Sequence, residues 1–294
     1  GITYNTSEFC FGSFVVELLC LIPLHLAMTI NNKFIPLRDG IWDPEYERRL
    51  VGATISEVID SLSLGWYESL LQTYMASKPV RVVSSMGEQS VGKSYCLNHF
   101  ADTSFAGSAM RTTEGIWLSC TPTVDYVLIS LDFEGMQSIE RSPQEDMLLV
   151  LFNTAISNLV LFRNNFALSR NIAGLFTSFQ LSARTFDPSR NPTLFNSNLA
   201  IIIKDVTDAD SDGIIKEFTL KFKEIVQMER DRNFLSQLHR GKLQVIPWPV
   251  INSPGFYALF HSIKERLDQQ PFTHHTGGAF LHKLKTLLVK IKES

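Results

Sequence analysis

The sequence has no CxxC pair and no metal-ligand spacing; its four cysteines, Cys10, Cys20, Cys96 and Cys120, stand singly. Two of them lie inside apolar runs, so reduced core thiols in a cytosolic protein are expected, and a disulfide framework or zinc module is not. There is also no basic excess. Lys and Arg number 27 against 30 Asp and Glu, a net charge of -3, which argues against a nucleic-acid role. Repeats and low-complexity tracts are missing. One long apolar run exists, Phe9 to Ile30, but Glu17, Pro23 and His25 interrupt it and no basic run flanks it. A membrane span or signal peptide would want neither interruption nor a bare flank. Val15, Leu18, Leu19, Ile22 and Leu26 recur at helical spacing, so a helix packed on the rest of the protein is expected, kinked or ended near Pro23. Membrane contact through this segment stays open as the alternative. Its abrupt apolar start suggests a piece of a longer protein.

What is present is a large core. Of 294 residues, 45% are apolar and 19% charged, enough for one α/β domain of roughly 200 residues with a helical extension. Pro36 to Pro44 reads as a loop. Two helices follow up to Met75, with a break at Gly65. Past Pro79 the period shifts, and Val80–Ser85 reads as a short buried strand. Lys93–Ala101 reads as a helix. Further strands are expected at Ile116–Ser119, Tyr126–Leu131, Leu159–Phe162, Leu199–Ile203 and Leu243–Ile246. Helices are expected at Glu145–Ser157, Asn165–Leu181, Gly213–Met228, Phe256–Leu267 and Ala279–Ile291. Strands separated by helices predict a mostly parallel sheet covered on both faces, with Ile116–Ser119 a candidate antiparallel member. The expected division is a helical extension over residues 1–75, a nucleotide domain over 76–275 and an outgoing helix over 276–294.

Between the first strand and its helix lies Gly87-Glu88-Gln89-Ser90-Val91-Gly92-Lys93-Ser94, which matches GxxxxGK[ST]. Such a loop needs glycine because the backbone must turn tightly and aim several N–H groups at phosphate oxygens. Lys93 would bridge the β- and γ-phosphates, and the Ser94 hydroxyl would coordinate Mg²⁺, with Tyr95 next along the helix. The helix adds the positive end of its dipole.

Asp132-Phe133-Glu134-Gly135 stands at the end of an apolar strand, where Asp132 would reach the metal through water and the Gly135 amide the γ-phosphate. Between the two motifs, Thr113 (with Thr112 the alternative) is a candidate to give its hydroxyl to Mg²⁺ in the triphosphate state. Asn/Thr-Lys-x-Asp is absent. Lys204-Asp205 follows the strand Ile201–Ile203 instead. A carboxylate there accepts from guanine N1–H and the 2-amino group together, whereas adenine would leave it unpaired.

Taken together these motifs resemble the dynamin-related large GTPases of the guanylate-binding protein and atlastin group. GKSYCLNHF, TTEGIW, DFEG, Lys204-Asp205 and the late GGAFL run carry the resemblance, which extends from about residue 44 to the C-terminus. It implies a P-loop G domain that hydrolyses GTP and forms a homodimer through its nucleotide face, with Mg²⁺ expected on the residues already named. By position, Thr113 takes the switch metal role, Glu134 the water-positioning role, and Trp248–Ser253, with Pro249 and Val250, would cover the guanine. One departure stands out. The P-loop arginine of guanylate-binding proteins and atlastins is replaced by Ser90, a form closer to the very large interferon-inducible and root-hair-defective types. Arg111 is the nearest substitute in sequence, and Gln137 is a lesser candidate to contact water. An interaction module with little hydrolysis, or an ATPase, are the competing expectations.

Overall fold

The structure is a computed structural model that describes residues 11–88, 90–106, 114–135, 142–165, 195–229, 238–239 and 242–293. Its strands are β1 Leu24–Ile30, β2 Lys33–Pro36, β3 Val80–Gly87, β4 Ile116–Pro122, β5 Val127–Phe133, β6 Leu159–Asn165, β7 Asn198–Val206 and β8 Leu243–Pro249. They form one sheet in the order β2-β1-β4-β5-β3-β6-β7-β8. From β5 through β3, β6 and β7 to β8 the pairing is parallel; β4 joins β5 antiparallel, and the β1–β2 hairpin extends that side antiparallel.

β3 is buried along its whole length, as a central parallel strand covered on both faces must be. Alternation divides its side chains. Val82 and Met86 join the larger core beneath α6 (Pro143–Ile156) and the C-terminal helix Gly277–Lys292. Val83 faces the other way, against Cys96 and Leu97 of α5 (Lys93–Ala101) and Leu259 and Ile263 of the helix Ala258–Asp268. This is the expected α/β architecture, with the phosphate loop at the C-terminal end of β3.

The N-terminal part departs from the expectation of a helical extension. Helix α1 spans Phe11–Cys20 and stops before Pro23, whose ring cannot continue it; Leu24–Ile30 is then a strand, not the rest of a helix. The reason is tertiary. β4 has an open edge, and Leu24, Leu26 and Ala27 bury themselves by pairing there. Asn31 and Asn32, both at positive φ, close the hairpin to β2. Between β2 and β3 the two expected helices are shorter pieces: α2 Pro44–Arg49, α3 Ile55–Ser61 and α4 Trp66–Ser69, which continues into a π-helical turn Leu70–Tyr74. Gly65, at φ 58°, makes the expected break.

The later helices Ser211–Glu229, Ala258–Asp268 and Gly277–Lys292 fall where expected. Asn165 belongs to β6 and not to a helix; the remainder of the expected helix to Leu181 lies outside the described residues. No helix among the described residues is long and apolar enough to cross a membrane. Cys20, Cys96 and Cys120 are free thiols in the core, and Cys10 lies outside the described residues.

Candidate nucleotide-binding site

The phosphate loop leaves β3 at Gly87, which sits opposite Arg163 of β6 at φ 138°. A Cβ at Gly87 would stand 2.0 Å from the Arg163 carbonyl oxygen, so only glycine lets the two strands approach this closely. Ser90 is exposed and left-handed at φ 59°, Val91 is buried, and Gly92 at φ 79° caps α5. Lys93 turns back and donates from Nζ to the Glu88 carbonyl at 2.8 Å. Burial raises the pKa of the Glu88 carboxyl while the Lys93 charge opposes that shift. Tyr95 is partly exposed beside His99, at the edge of an aromatic cluster that includes Phe256 and Phe260. Gln89 lies outside the described residues.

Ser94 and Asp132 meet. The Ser94 hydroxyl donates to Asp132 Oδ2 at 2.5 Å, and the aspartate is fully buried at the end of β5. Register explains the meeting: Asp132 pairs with Ser85 two residues before β3 gives way to the loop. Gly135 follows, also buried. One hydroxyl and one carboxylate are hard oxygen donors of the kind Mg²⁺ takes while keeping several waters, so these residues fit that ion.

Glu134 grips the loop before β4. Its carboxylate accepts from the Gly115 N–H at 2.8 Å, and its own N–H donates to the Gly115 carbonyl at 2.8 Å. Gly115 lies at φ 67°, pressed on β1: a Cβ there would meet the Ala27 carbonyl oxygen at 2.2 Å. Arg111, Thr112, Thr113 and Gln137 lie outside the described residues.

Lys204 and Asp205 stand at a break in the β7–β8 register, between Ile203 and Val206. Their side chains pair with each other at 3.3 Å and both reach solvent, with Asp205 at φ 61°. Trp248 and Pro249 close β8, so the expected covering loop starts only at Val250. Trp248 is buried, donates its indole N–H to the Phe256 carbonyl at 2.8 Å, and stacks on the Phe256 ring. Val250, Ile251 and Tyr257 are exposed on this side.

Arg163 was not singled out from the sequence. It is 1% exposed, donates from Nη1 to the Gly92 carbonyl, and lays its guanidinium carbon 4.3 Å from the Trp248 ring centre. The available signal was a charge at the end of the apolar run Leu159–Phe162.

Residues 63–172 match the model of the guanylate-binding protein N-terminal domain. That span includes the phosphate loop and Asp132 but not Lys204-Asp205 or Pro249-Val250. Protein ROOT HAIR DEFECTIVE 3 homolog 1 of Arabidopsis thaliana is 34% identical over 127 residues, 39% of this chain and 16% of that protein. Protein SEY1 homolog 2 of Paramecium tetraurelia is 37% identical over 149 residues, 48% of this chain and 19% of that protein. Protein sey1 of Talaromyces stipitatus is 28% identical over 195 residues, 60% of this chain and 22% of that protein. The chain thus spans about a fifth or less of the length of the first and second of these relatives. Among solved structures, Aquifex aeolicus Era bound to GDP.AlF4- aligns with 66% of this chain and 57% of its own at TM-score 0.39 and 17% identity. The Arl6 BBS3 small GTPase of Trypanosoma brucei with bound GppNp aligns with 65% of this chain and 99% of its own at TM-score 0.42 and 11% identity. The resemblance read from the motifs therefore holds: this chain is similar to the guanylate-binding protein N-terminal domain and to the root-hair-defective and Sey1 proteins.

Proposed function

We propose that this chain binds GTP and GDP with Mg²⁺ and hydrolyses GTP. The observation that carries the reading is the Ser94–Asp132 hydrogen bond at 2.5 Å, which joins the phosphate loop to the DFEG motif at one point. When bound, Mg²⁺ would supply positive charge that offsets that of the phosphates. Ser94 would hold it directly and Asp132 through water, while Lys93, released from Glu88, would reach the phosphates. The loop amides from Gly87 to Ser94 would hold the phosphate chain, and the Gly135 amide would meet its γ end. Asp205 would read the guanine edge with Lys204 along the base, and Pro249 and Val250 would close over it. Glu134, by clamping Gly115, would fix the end of the loop that carries Thr113, and Arg111 would supply charge to the phosphates. Single-turnover hydrolysis of GTP tests the reading, with Lys93→Ala as control. Turnover in the wild-type chain that is lost in the variant supports it; no turnover in either contradicts the hydrolysis part.

Dimerisation across the nucleotide face belongs to the same proposal. Tyr95 of the phosphate-loop helix and Val250, Ile251 and Tyr257 after β8 are exposed, and such residues would suit a second copy. One observation favours a slower module: the exposed Ser90 stands where guanylate-binding proteins and atlastins would carry their P-loop arginine. In that reading the chain binds guanine nucleotide and turns it over little.

A further inference from the structure

Arg163 sits beneath the phosphate loop as a buried cation with no matching carboxylate among the described residues. Only 1% of it is exposed, and its Nε has no hydrogen-bond partner. No described carboxylate lies in ion-pair range of it; Asp205 is the acid whose charge reaches it, and Asp205 is over half exposed and already 3.3 Å from Lys204. What Arg163 does contact is the Gly92 carbonyl and, through its flat face, the Trp248 ring. Stacking on indole recovers part of the lost hydration but leaves the charge unneutralised. A buried ion in this state is costly, and its ordinary relief is an anion close by. Burial accordingly lowers its pKa.

The place points to the anion. The Gly92 carbonyl belongs to the peptide whose N–H is that of Lys93, at the start of α5, and the same carbonyl accepts from Cys96 N at 3.1 Å. A guanidinium pulling on that oxygen polarises the peptide and sharpens its N–H as a donor toward the loop's concave side. It also pins Gly92 in its left-handed turn. Trp248 meanwhile ties the guanidinium to the strand end that carries Pro249 and Val250.

We propose that Arg163 is a positioning residue for the diphosphate part of the nucleotide: it shapes the Gly92 turn and supplies a poorly screened positive charge that bound phosphates neutralise. The inference rests on the nucleotide reading above. Because the diphosphate is common to GDP and GTP, the effect falls on binding of both and not on the chemical step.

The test compares wild type, Arg163→Met and Arg163→Lys in the full chain, using fluorescently labelled GDP, a labelled non-hydrolysable GTP analogue, and melting without nucleotide. Expected for Arg163→Met is a rise of at least tenfold in both dissociation constants, by the same factor within twofold. KM should rise with kcat within about twofold, and the nucleotide-free melting temperature should be unchanged or higher, since an unpaired buried charge is gone. Arg163→Lys should recover most of the affinity. GDP binding of Arg163→Met within twofold of wild type overturns the proposal. So does a fall in nucleotide-free melting temperature alongside an affinity loss that Lys does not repair, which marks a purely structural arginine. Should the Met variant not fold, a folded Lys variant with tenfold weaker binding is equally contrary. A wild-type chain that binds no labelled GDP fails the nucleotide reading instead, and the two failures are thus distinct.

Discussion

At the residue scale, Ser94 and Asp132 meet in one hydrogen bond although they stand 38 positions apart, and Lys93 precedes Ser94 directly. Each has one replaceable atom set. Lys93→Ala is expected to weaken GTP binding by about 100-fold or more, read with a labelled non-hydrolysable analogue, and an unchanged affinity would remove Lys93 from the phosphates. Asp205→Asn tests the base reader. An amide there offers a donor where guanine needs an acceptor, so GDP should bind at least 100-fold more weakly. Xanthine carries a carbonyl in place of the 2-amino group, and XDP should gain in the same variant; an Asn variant that still prefers GDP would remove Asp205 from the role. Phosphate-loop residues are legible in sequence because the chemistry confines them to consecutive positions. Arg163 is not, because its meaning depends on which strand lies beside β3, and that is a fact of sheet order.

At the element scale, the strands and helices flanking the phosphate loop follow from local pattern: β3 as an unbroken buried run, α5 after the glycines, and α6 with Pro143 first and a Ser142–Glu145 capping box. β1 does not. The helical spacing that runs from Val15 to Leu26 masks the alternation of Leu24, Leu26, Met28 and Ile30, which the open edge of β4 takes up as a strand. The β1–β2 hairpin then acquires contacts no local pattern announces. The Asn32 N–H donates to Glu145 Oε1 at 2.9 Å, and β1 backs directly on Gly115. Both the segment before β4 and the start of α6 therefore rest on this hairpin. Gly87→Ala is the sharpest test of the sheet's fit at the site. A methyl 2.0 Å from a backbone oxygen forces β3 and β6 apart, and a loss of about 3 kcal/mol or more is expected from urea unfolding. A loss under about 1 kcal/mol would contradict the close approach.

At the scale of the whole molecule, two buried imidazoles give stability a pH dependence. His239 and His274 are both pushed down to about 4, chiefly by burial; Lys283 and His275 add to the effect on His274. The unfolded chain binds these protons near 6.5 and the folded one near 4, so stability is full above about pH 6.5 and falls as pH drops toward 4. Each group contributes at most about 3 kcal/mol across that window. Urea midpoints between pH 7.5 and 4.5 should show the fall, and His274→Gln should flatten it by about one proton; an unaltered slope would mean that His274 titrates normally. The association proposal is checked by solution mass with GDP, a GTP analogue and a transition-state mimic, where a dimer is expected with at least the last. The most direct test of the guanine-nucleotide site itself is equilibrium competition for labelled GDP in the presence of Mg²⁺. Unlabelled GDP should displace the label at equal concentration while ATP in 100-fold excess does not. No binding of the label, or displacement by ATP at equal concentration, would contradict the account.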